Sequence, residues 1–235
     1  YDVVRKMRAS ILILGPLLSR FGEARISLPG GCAIGTRPID MHLAGLSKLG
    51  ANFDIQNGFV VGNVKSQLIG NKIKLPFPSV GATENIMMAA SLAQGVTVLT
   101  NVAKEPEIID LADMLNSMGA DIKGAGTDQI TIKGVSELSG TTFEIPADRI
   151  EAGTYLVAAA VTHGNITIDS INPNRLMKVI NMIERSGPKI SFDDNSISIS
   201  MNKDRPDPVD ITTAPFPEFP TDMQAQFSVI NAISS

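Results

Sequence analysis

Apolar positions along the chain keep two rhythms. Recurrence every three to four residues predicts amphipathic helices over 9–21, 41–49, 84–94, 108–118, 151–163 and 176–186. Short alternating or β-branched runs predict strands over 24–28, 52–55, 59–61, 97–99, 121–123, 129–132, 165–168, 189–192 and 196–199. A further helix-like run, 223–233, stops at the end of the chain. Gly50, Gly119 and Gly187 close one helix in each set at spacings of 69 and 68 residues, and Pro38, Pro106 and Pro173 open the same helices at spacings of 68 and 67. Proline suits a first turn because it lacks the N–H that would stay unbonded there, and glycine just past a helix accepts left-handed dihedrals. Gly22, Gly95 and Gly164 end the other helices. The repeating unit is therefore helix, strand, helix, strand, strand, or βαβαββ with a preceding strand. The chain holds three copies and the start of a fourth.

The chain's 235 residues, 43% apolar and 19% charged, suffice for a packed core and exclude a disordered or fibrous protein. A domain boundary is expected at 146/147. Twenty Lys and Arg against twenty-four Asp and Glu give a net charge of −4, which disfavours a nucleic-acid partner. The lone Cys32 leaves no intramolecular disulfide and points to a reducing, cytoplasmic setting. The longest apolar stretch, 11–18, is broken by Gly15 and Pro16 and is too short to span a bilayer. The chain opens at Tyr1 and ends inside an apolar run, so it reads as an internal piece of a longer protein. No spacing matches a metal site, P-loop, dinucleotide fingerprint or hydrolase elbow.

Comparing the repeats singles out chemistry. From helix-ending glycine to helix-opening proline the second unit uses eleven positions and the third nine, but the first uses sixteen. The surplus, Pro29-Gly30-Gly31-Cys32-Ala33-Ile34-Gly35-Thr36, is costly in backbone entropy as mere filler. It reads either as a mobile loop presenting a thiol or as a surface loop with an incidental cysteine. Arg37 stands where the other units have Glu105 and Asn172, so the fold does not demand it; it can hold a phosphate or pair with Asp40. His42, in the first turn after Pro38, is a candidate anion contact or an ordinary solvated histidine. Ser79-Val80-Gly81 before the 84–94 helix is a candidate phosphate cradle or a simple cap. Thr221 and Gln224 fit a capping box, which alone accounts for Asp222 by its complement to the helix dipole.

Met7-Arg8-Ala9-Ser10, the stretch from Leu28 through Cys32 to Asp40, Pro78-Ser79-Val80-Gly81-Ala82-Thr83 and Phe219-Pro220-Thr221-Asp222-Met223-Gln224-Ala225-Gln226 together resemble the UDP-N-acetylglucosamine enolpyruvyl transferase family. The resemblance runs along the whole chain. It implies an α/β fold of two domains, each of three βαβαββ units packed as an inside-out barrel, with 1–146 in the first domain, 147–235 opening the second, and the active site closing between them. It implies transfer of the enolpyruvyl group of phosphoenolpyruvate to the 3′-hydroxyl of UDP-N-acetylglucosamine, for peptidoglycan synthesis. No cofactor is expected beyond a covalent phosphoenolpyruvate adduct on Cys32, the proton donor and the position that fosfomycin alkylates. Asp222 matches the general base; Arg8 and Arg37 match phosphate-binding arginines. Arg37, Pro38, Ile39, Asp40 and Met41 match the uridine-binding stretch, and Ser79, Val80 and Gly81 the nucleotide-phosphate contacts. His42, Thr221 and Asp222 complete the expected substrate contacts. Phe77 and Pro78 stand where the family often carries a lysine. The family's N-terminal Lys-Asn pair and a late arginine fall outside the chain, so the piece alone is expected to be inactive. The rival readings are a sister enzyme acting on shikimate 3-phosphate, which lacks the cysteine loop, and a nucleotide-sugar-binding piece without chemistry.

Overall fold

A computed structural model of the chain describes residues 8–28 and 39–235, the Arg8 side chain excepted. It divides into two compact units, Tyr1–Phe143 and Glu144–Ser235. The first opens with a 3-10 turn, Arg8–Ile13, that runs into α1 (Leu14–Phe21), β1 (Glu23–Ser27), α2 (Asp40–Lys48), β2 (Ala51–Gln56) and β3 (Phe59–Val64). These strands form an antiparallel sheet ordered β1-β3-β2. Next come β4 (Lys72–Lys74), α3 (Val80–Ala90), β5 (Val96–Thr100), α4 (Pro106–Ser117), β6 (Asp121–Lys123) and β7 (Gln129–Lys133), with sheet order β4-β5-β7-β6. β4 runs parallel to β5, with α3 as the crossover. This is the only repeat whose leading strand is seen among the described residues.

The second unit contains α5 (Arg149–Val161), β8 (Asn165–Asp169), a 3-10 turn Pro173–Arg175, α6 (Met177–Arg185), β9 (Lys189–Phe192) and β10 (Ser196–Ser200). A coil segment leads to another 3-10 turn, Thr221–Met223, and α7 (Gln224–Ile233). Its antiparallel sheet is ordered β8-β10-β9, the same arrangement as β1-β3-β2. The mixed helix-and-sheet repeat is thus the expected α/β class.

The recurrence extends to single hydrogen bonds. Gly50, Gly119 and Gly187 have φ of 103°, 103° and 114°. Their N–H groups donate to the carbonyls of Ser47, Asn116 and Glu184, each three residues back. α3 is buried nearly all round, through Ala82, Thr83, Asn85, Ile86, Met87, Ala89 and Ala90, as expected of a helix inside a core. Leu14, Leu18, Leu46, Ile86, Leu99, Ile108 and Ile130 belong to one apolar cluster. α5 is the counterpart in the second unit, where Leu156, Ile180, Ile183 and Phe227 form the core. There Phe219 and Phe227 meet edge to face, 4.8 Å between ring centres.

Several sequence expectations need correction. The helix at 9–21 is α-helical only from Leu14, because Pro16 cannot donate to residue 12 and its ring crowds the preceding turn; the chain before it tightens into 3-10 form. The 84–94 helix begins four residues earlier, since Ser79 caps it. The 151–163 helix begins at Arg149, where the Asp148 carboxylate accepts the N–H groups of Ile150 and Glu151 at 2.8 and 3.2 Å. Its left-handed terminator is His163, φ 57°, and not Gly164. Pro173 opens a separate 3-10 turn capped by Asn172 and divided from α6 by Leu176, φ −137°. Thr221 and Gln224 form no capping box: neither helical segment there has a side-chain cap.

Candidate anion site at the start of α3

The first turn of α3 is set by Ser79, whose extended backbone and hydroxyl make it the cap: its Oγ accepts the Ala82 N–H at 3.3 Å. The Ser79 carbonyl accepts from the Thr83 N–H and from Thr83 Oγ1, at 3.0 and 2.7 Å. Val80 and Gly81 therefore belong to the helix itself rather than to a loop before it. Their N–H groups have no intrahelical acceptor, and they add to the positive end of the helix dipole.

His42 lies against this turn. A Cβ on Gly81 would stand 3.2 Å from His42 Cε1 and 3.5 Å from Nε2, so a side chain there would displace the ring. Of the two readings of His42, the solvated one fails: only 9% of the residue is exposed. Burial lowers its pKa to about 4, so the ring is neutral at neutral pH. Its Nδ1 stands 3.0 Å from Asn85 Nδ2 on α3. Asn85, fully buried, also accepts the Gly15 N–H on Oδ1 at 2.7 Å and donates to the Ile11 carbonyl at 2.9 Å. The neighbouring Glu84 is pushed up to about 7 by burial first, then by the Glu107 and Glu105 carboxylates.

Ile39, Asp40 and Met41 open α2. Asp40 and Met41 line a cavity of about 230 Å³ with Ala44, Lys48, Lys72 and Lys74. These three lysines supply positive charge close to the segment where Phe77, 56% exposed, replaces the expected lysine. The structure therefore brings Asp40, Met41 and His42 onto one helix, and seats His42 against Gly81 beside Ser79 and Val80. Cys32, Arg37 and Pro38 lie outside the described residues, as does the Arg8 side chain; the Arg8 backbone begins the 3-10 turn that leads to Ile11. In the second unit Thr221 and Asp222 are exposed in their 3-10 turn. Nearby Pro220 lines a recess with Arg149, Asn174, Arg175, Lys178 and Glu218, where Lys178 pairs with Glu218 at 2.7 Å. Sequence reasoning missed Asn85, Lys72, Lys74 and Arg149. Asn85 gave little signal, since it closes the polar triplet Thr83-Glu84-Asn85 just before the apolar run Ile86-Met87-Met88.

Among the described residues no group of three His, Cys, Asp or Glu could hold a metal ion, and no helix is long and apolar enough to cross a membrane. The arrangement suits an anion held by helix N–H groups and a neutral imidazole edge, with lysines close by.

The fold defines the class. The enolpyruvyl transferase NikO from Streptomyces tendae superposes on the whole chain with a TM-score of 0.80 at 20% sequence identity, over 56% of its own length. EPSP synthase from Acinetobacter baumannii matches 88% of the chain with a TM-score of 0.64 at 22% identity, over 49% of its length. The chain has the fold of the enolpyruvyl transferases.

The sequence profile of the EPSP synthase (3-phosphoshikimate 1-carboxyvinyltransferase) family matches residues 1–234, and the chain belongs to that family. Proteins named UDP-N-acetylglucosamine 1-carboxyvinyltransferase are similar over the full 234-residue alignment: 52% identical in Shewanella amazonensis and 51% in Coxiella burnetii. The same name belongs to a Chelativorans protein 52% identical over 230 residues. The chain spans about half the length of these relatives, 54–56%.

Proposed function

We propose that the protein carrying this chain transfers the enolpyruvyl group of phosphoenolpyruvate to the 3′-hydroxyl of UDP-N-acetylglucosamine, releasing inorganic phosphate. The observation that carries this reading is the Ser79-capped turn of α3 with the neutral His42 edge against it, a place for a nucleotide's phosphates. The identity to proteins of that name, at 51–52% along the whole chain, favours the nucleotide-sugar over shikimate 3-phosphate as acceptor. In this reading residues 1–146 hold the nucleotide-sugar and the cysteine loop, and residues 147–235 bring Asp222.

The chemistry follows from the product. Cys32 gives a proton to the methylene carbon of phosphoenolpyruvate, which makes the adjacent carbon electrophilic. The sugar hydroxyl attacks that carbon as Asp222 takes its proton, so a C–O bond forms. The bond between that carbon and the phosphate oxygen then breaks and phosphate leaves with that oxygen. Because the product keeps a double bond, a proton must leave the methyl carbon again, and the Cys32 thiolate left by the first step takes it back. Arg8 and Arg37 hold phosphate oxygens; Arg37, Pro38, Ile39, Asp40 and Met41 receive the uridine; Ser79, Val80, Gly81 and His42 the diphosphate; and Thr221 the sugar beside Asp222. The residues supply every proton transfer, so no cofactor enters. We place the reaction in the cytoplasm, the compartment suited to a lone thiol, with small molecules as its partners.

The test is phosphate release by the full-length protein with phosphoenolpyruvate and either acceptor. Release with UDP-N-acetylglucosamine, lost in Cys32→Ser, is the expected result. Release with shikimate 3-phosphate instead would transfer the assignment to the sister reaction, and release with neither would leave a binding protein.

A further inference from the structure

The break between the Arg8–Ile13 turn and α1 leaves two backbone groups that a continuous helix would pair with each other: the Gly15 N–H and the Ile11 carbonyl four residues back. Asn85 takes both. Its Oδ1 accepts from Gly15 and its Nδ2 donates to Ile11, so one carboxamide is spliced into the interrupted helix from 70 residues away. Only glycine fits this close approach, since a Cβ on residue 15 would stand 2.4 Å from the Asn85 backbone carbonyl oxygen and 2.5 Å from its Oδ1.

The splice also settles which nitrogen of His42 carries the proton. A backbone N–H can only donate and a backbone carbonyl can only accept, so the Asn85 amide has one orientation. Nδ2 therefore faces His42 with its second hydrogen, across 3.0 Å. His42 Nδ1 must be the acceptor, and the ring proton sits on Nε2, the nitrogen beside the first turn of α3.

We propose that Asn85 is a positioning residue: by closing the broken helix and holding His42 as the Nε2–H tautomer, it locks the segment after Arg8, the start of α2 and the Ser79–Gly81 turn into one anion-binding arrangement. The repeat itself does not require this. Thr154 lies 69 residues after Asn85, at the same place in α5, and its hydroxyl makes the ordinary bond to the Ile150 carbonyl four residues back. Burial, which lowers the His42 pKa to about 4, keeps the ring neutral, as an acceptor Nδ1 requires. The role in ligand binding rests on the functional reading above; the tautomer does not.

The experiment uses the full-length protein labelled with 15N at histidine, with the His42 signals identified by their loss in His42→Gln. The expected spectrum at neutral pH has an unprotonated Nδ1 and a protonated Nε2, and added UDP-N-acetylglucosamine shifts the Nε2–H signal while Nδ1 stays an acceptor. Asn85→Asp keeps an acceptor for Gly15 but loses both donors. It is expected to move a proton onto Nδ1 and to weaken nucleotide-sugar binding about tenfold. An Nδ1–H or rapidly exchanging ring in the unaltered protein, or an unchanged spectrum in Asn85→Asp, overturns the lock. Unchanged affinity beside a switched ring, or a bound nucleotide-sugar that leaves Nε2 unmoved, overturns the positioning role. If the unaltered protein shows the expected tautomer and binds no nucleotide-sugar, the lock stands and the functional reading fails. Should Asn85→Asp not fold, the spectra of the unaltered protein decide both points alone.

Discussion

α3 and α5 occupy the same place in successive repeats and solve it differently. Both begin behind a capping side chain, Ser79 and Asp148, 69 residues apart, and both are lined with alanine on their buried sides. At the sixth helical position each makes a polar link to another helix. Asn85 does so fully buried, to the chain 70 residues before it; Thr154 does so in the open, accepting from Gln226 Nε2 72 residues after it at 2.9 Å. The exposed link is exchangeable with water, so little depends on it. The buried one is obligatory, because its loss strands three groups with no water to replace it. A repeated architecture thus holds polar side chains at matching positions, and burial decides which of them constrains a site.

The largest expected effect separates the two units by role. Asp222→Asn is expected to lower turnover by about a hundredfold or more while sparing nucleotide-sugar affinity. Equal losses in both, measured by steady-state kinetics and calorimetry, would make Asp222 a binding group and erase the distinction. Next, Asn85→Leu is expected to destabilise the full-length protein by about 3 kcal/mol, against about 0.5 kcal/mol for Thr154→Val. Urea unfolding midpoints that fall equally would break the comparison of the two links.

Glycine substitutions sharpen the same contrast by sign. A Cβ on Gly45 would lie 2.1 Å from Ile86 Cδ1 and 2.7 Å from its Cγ1, within the core around α3. Gly45→Ala is expected to cost about 2 kcal/mol by overpacking. On α5, a Cβ on Gly153 would meet the Met223 Cε and Sδ at 3.1 Å and Val179 Cγ1 at 3.4 Å, a few tenths of an ångström of crowding that the flexible thioether can absorb. The gain in helix propensity then offsets the contact, leaving stability unchanged or raised by about 0.5 kcal/mol. Thermal midpoints moving together would show that α5 packs as tightly as α3.

The smallest effect is a pair of opposed pH slopes at α3. Glu84 titrates near 7 in the folded protein against 4.5 unfolded, so its contribution falls as pH rises between those values. His42 titrates near 4 against 6.5, so its contribution is lost as pH falls from 6.5 toward 4. The two slopes largely cancel. Glu84→Gln is expected to leave the His42 slope alone, so that stability rises steadily with pH from 4 to 6.5, and to gain about 1–2 kcal/mol over the parent above pH 7. A flat difference between variant and parent across this range would exclude a raised Glu84.

The repeat was legible because its punctuation is backbone chemistry: a glycine that must turn left and a proline that has no N–H read the same in any environment. α1 was legible only in part, since the apolar rhythm over 9–21 runs straight through the segment, and only hydrogen bonding reveals that the helix changes from 3-10 to α between Ile13 and Leu14. Pro173 failed as a helix signal because a proline permits a first turn without requiring the turn to continue. At the candidate site, Ser79 announced itself locally as a cap. His42 and Asn85 did not. A histidine in a first turn and an asparagine in a helix both look like surface residues, and what buries them comes from segments 43 and 70 residues distant. Long-range burial of a polar group leaves almost no local trace.

The three helix-closing glycines carry a consequence in the language of chirality. An L-Cβ on Gly50 or Gly119 would meet nothing within 4 Å. Crowding is therefore not what keeps those positions bare. What excludes a side chain there is the sign of φ, a mirror-image requirement that the repeat imposes every 68 or 69 residues. In stereochemical terms these are sites for a D-amino acid. An L-alanine at Gly119 would strain the backbone by about 1 kcal/mol, whereas D-alanine introduced by chemical ligation would fit the same turn and stabilise it by narrowing the unfolded chain.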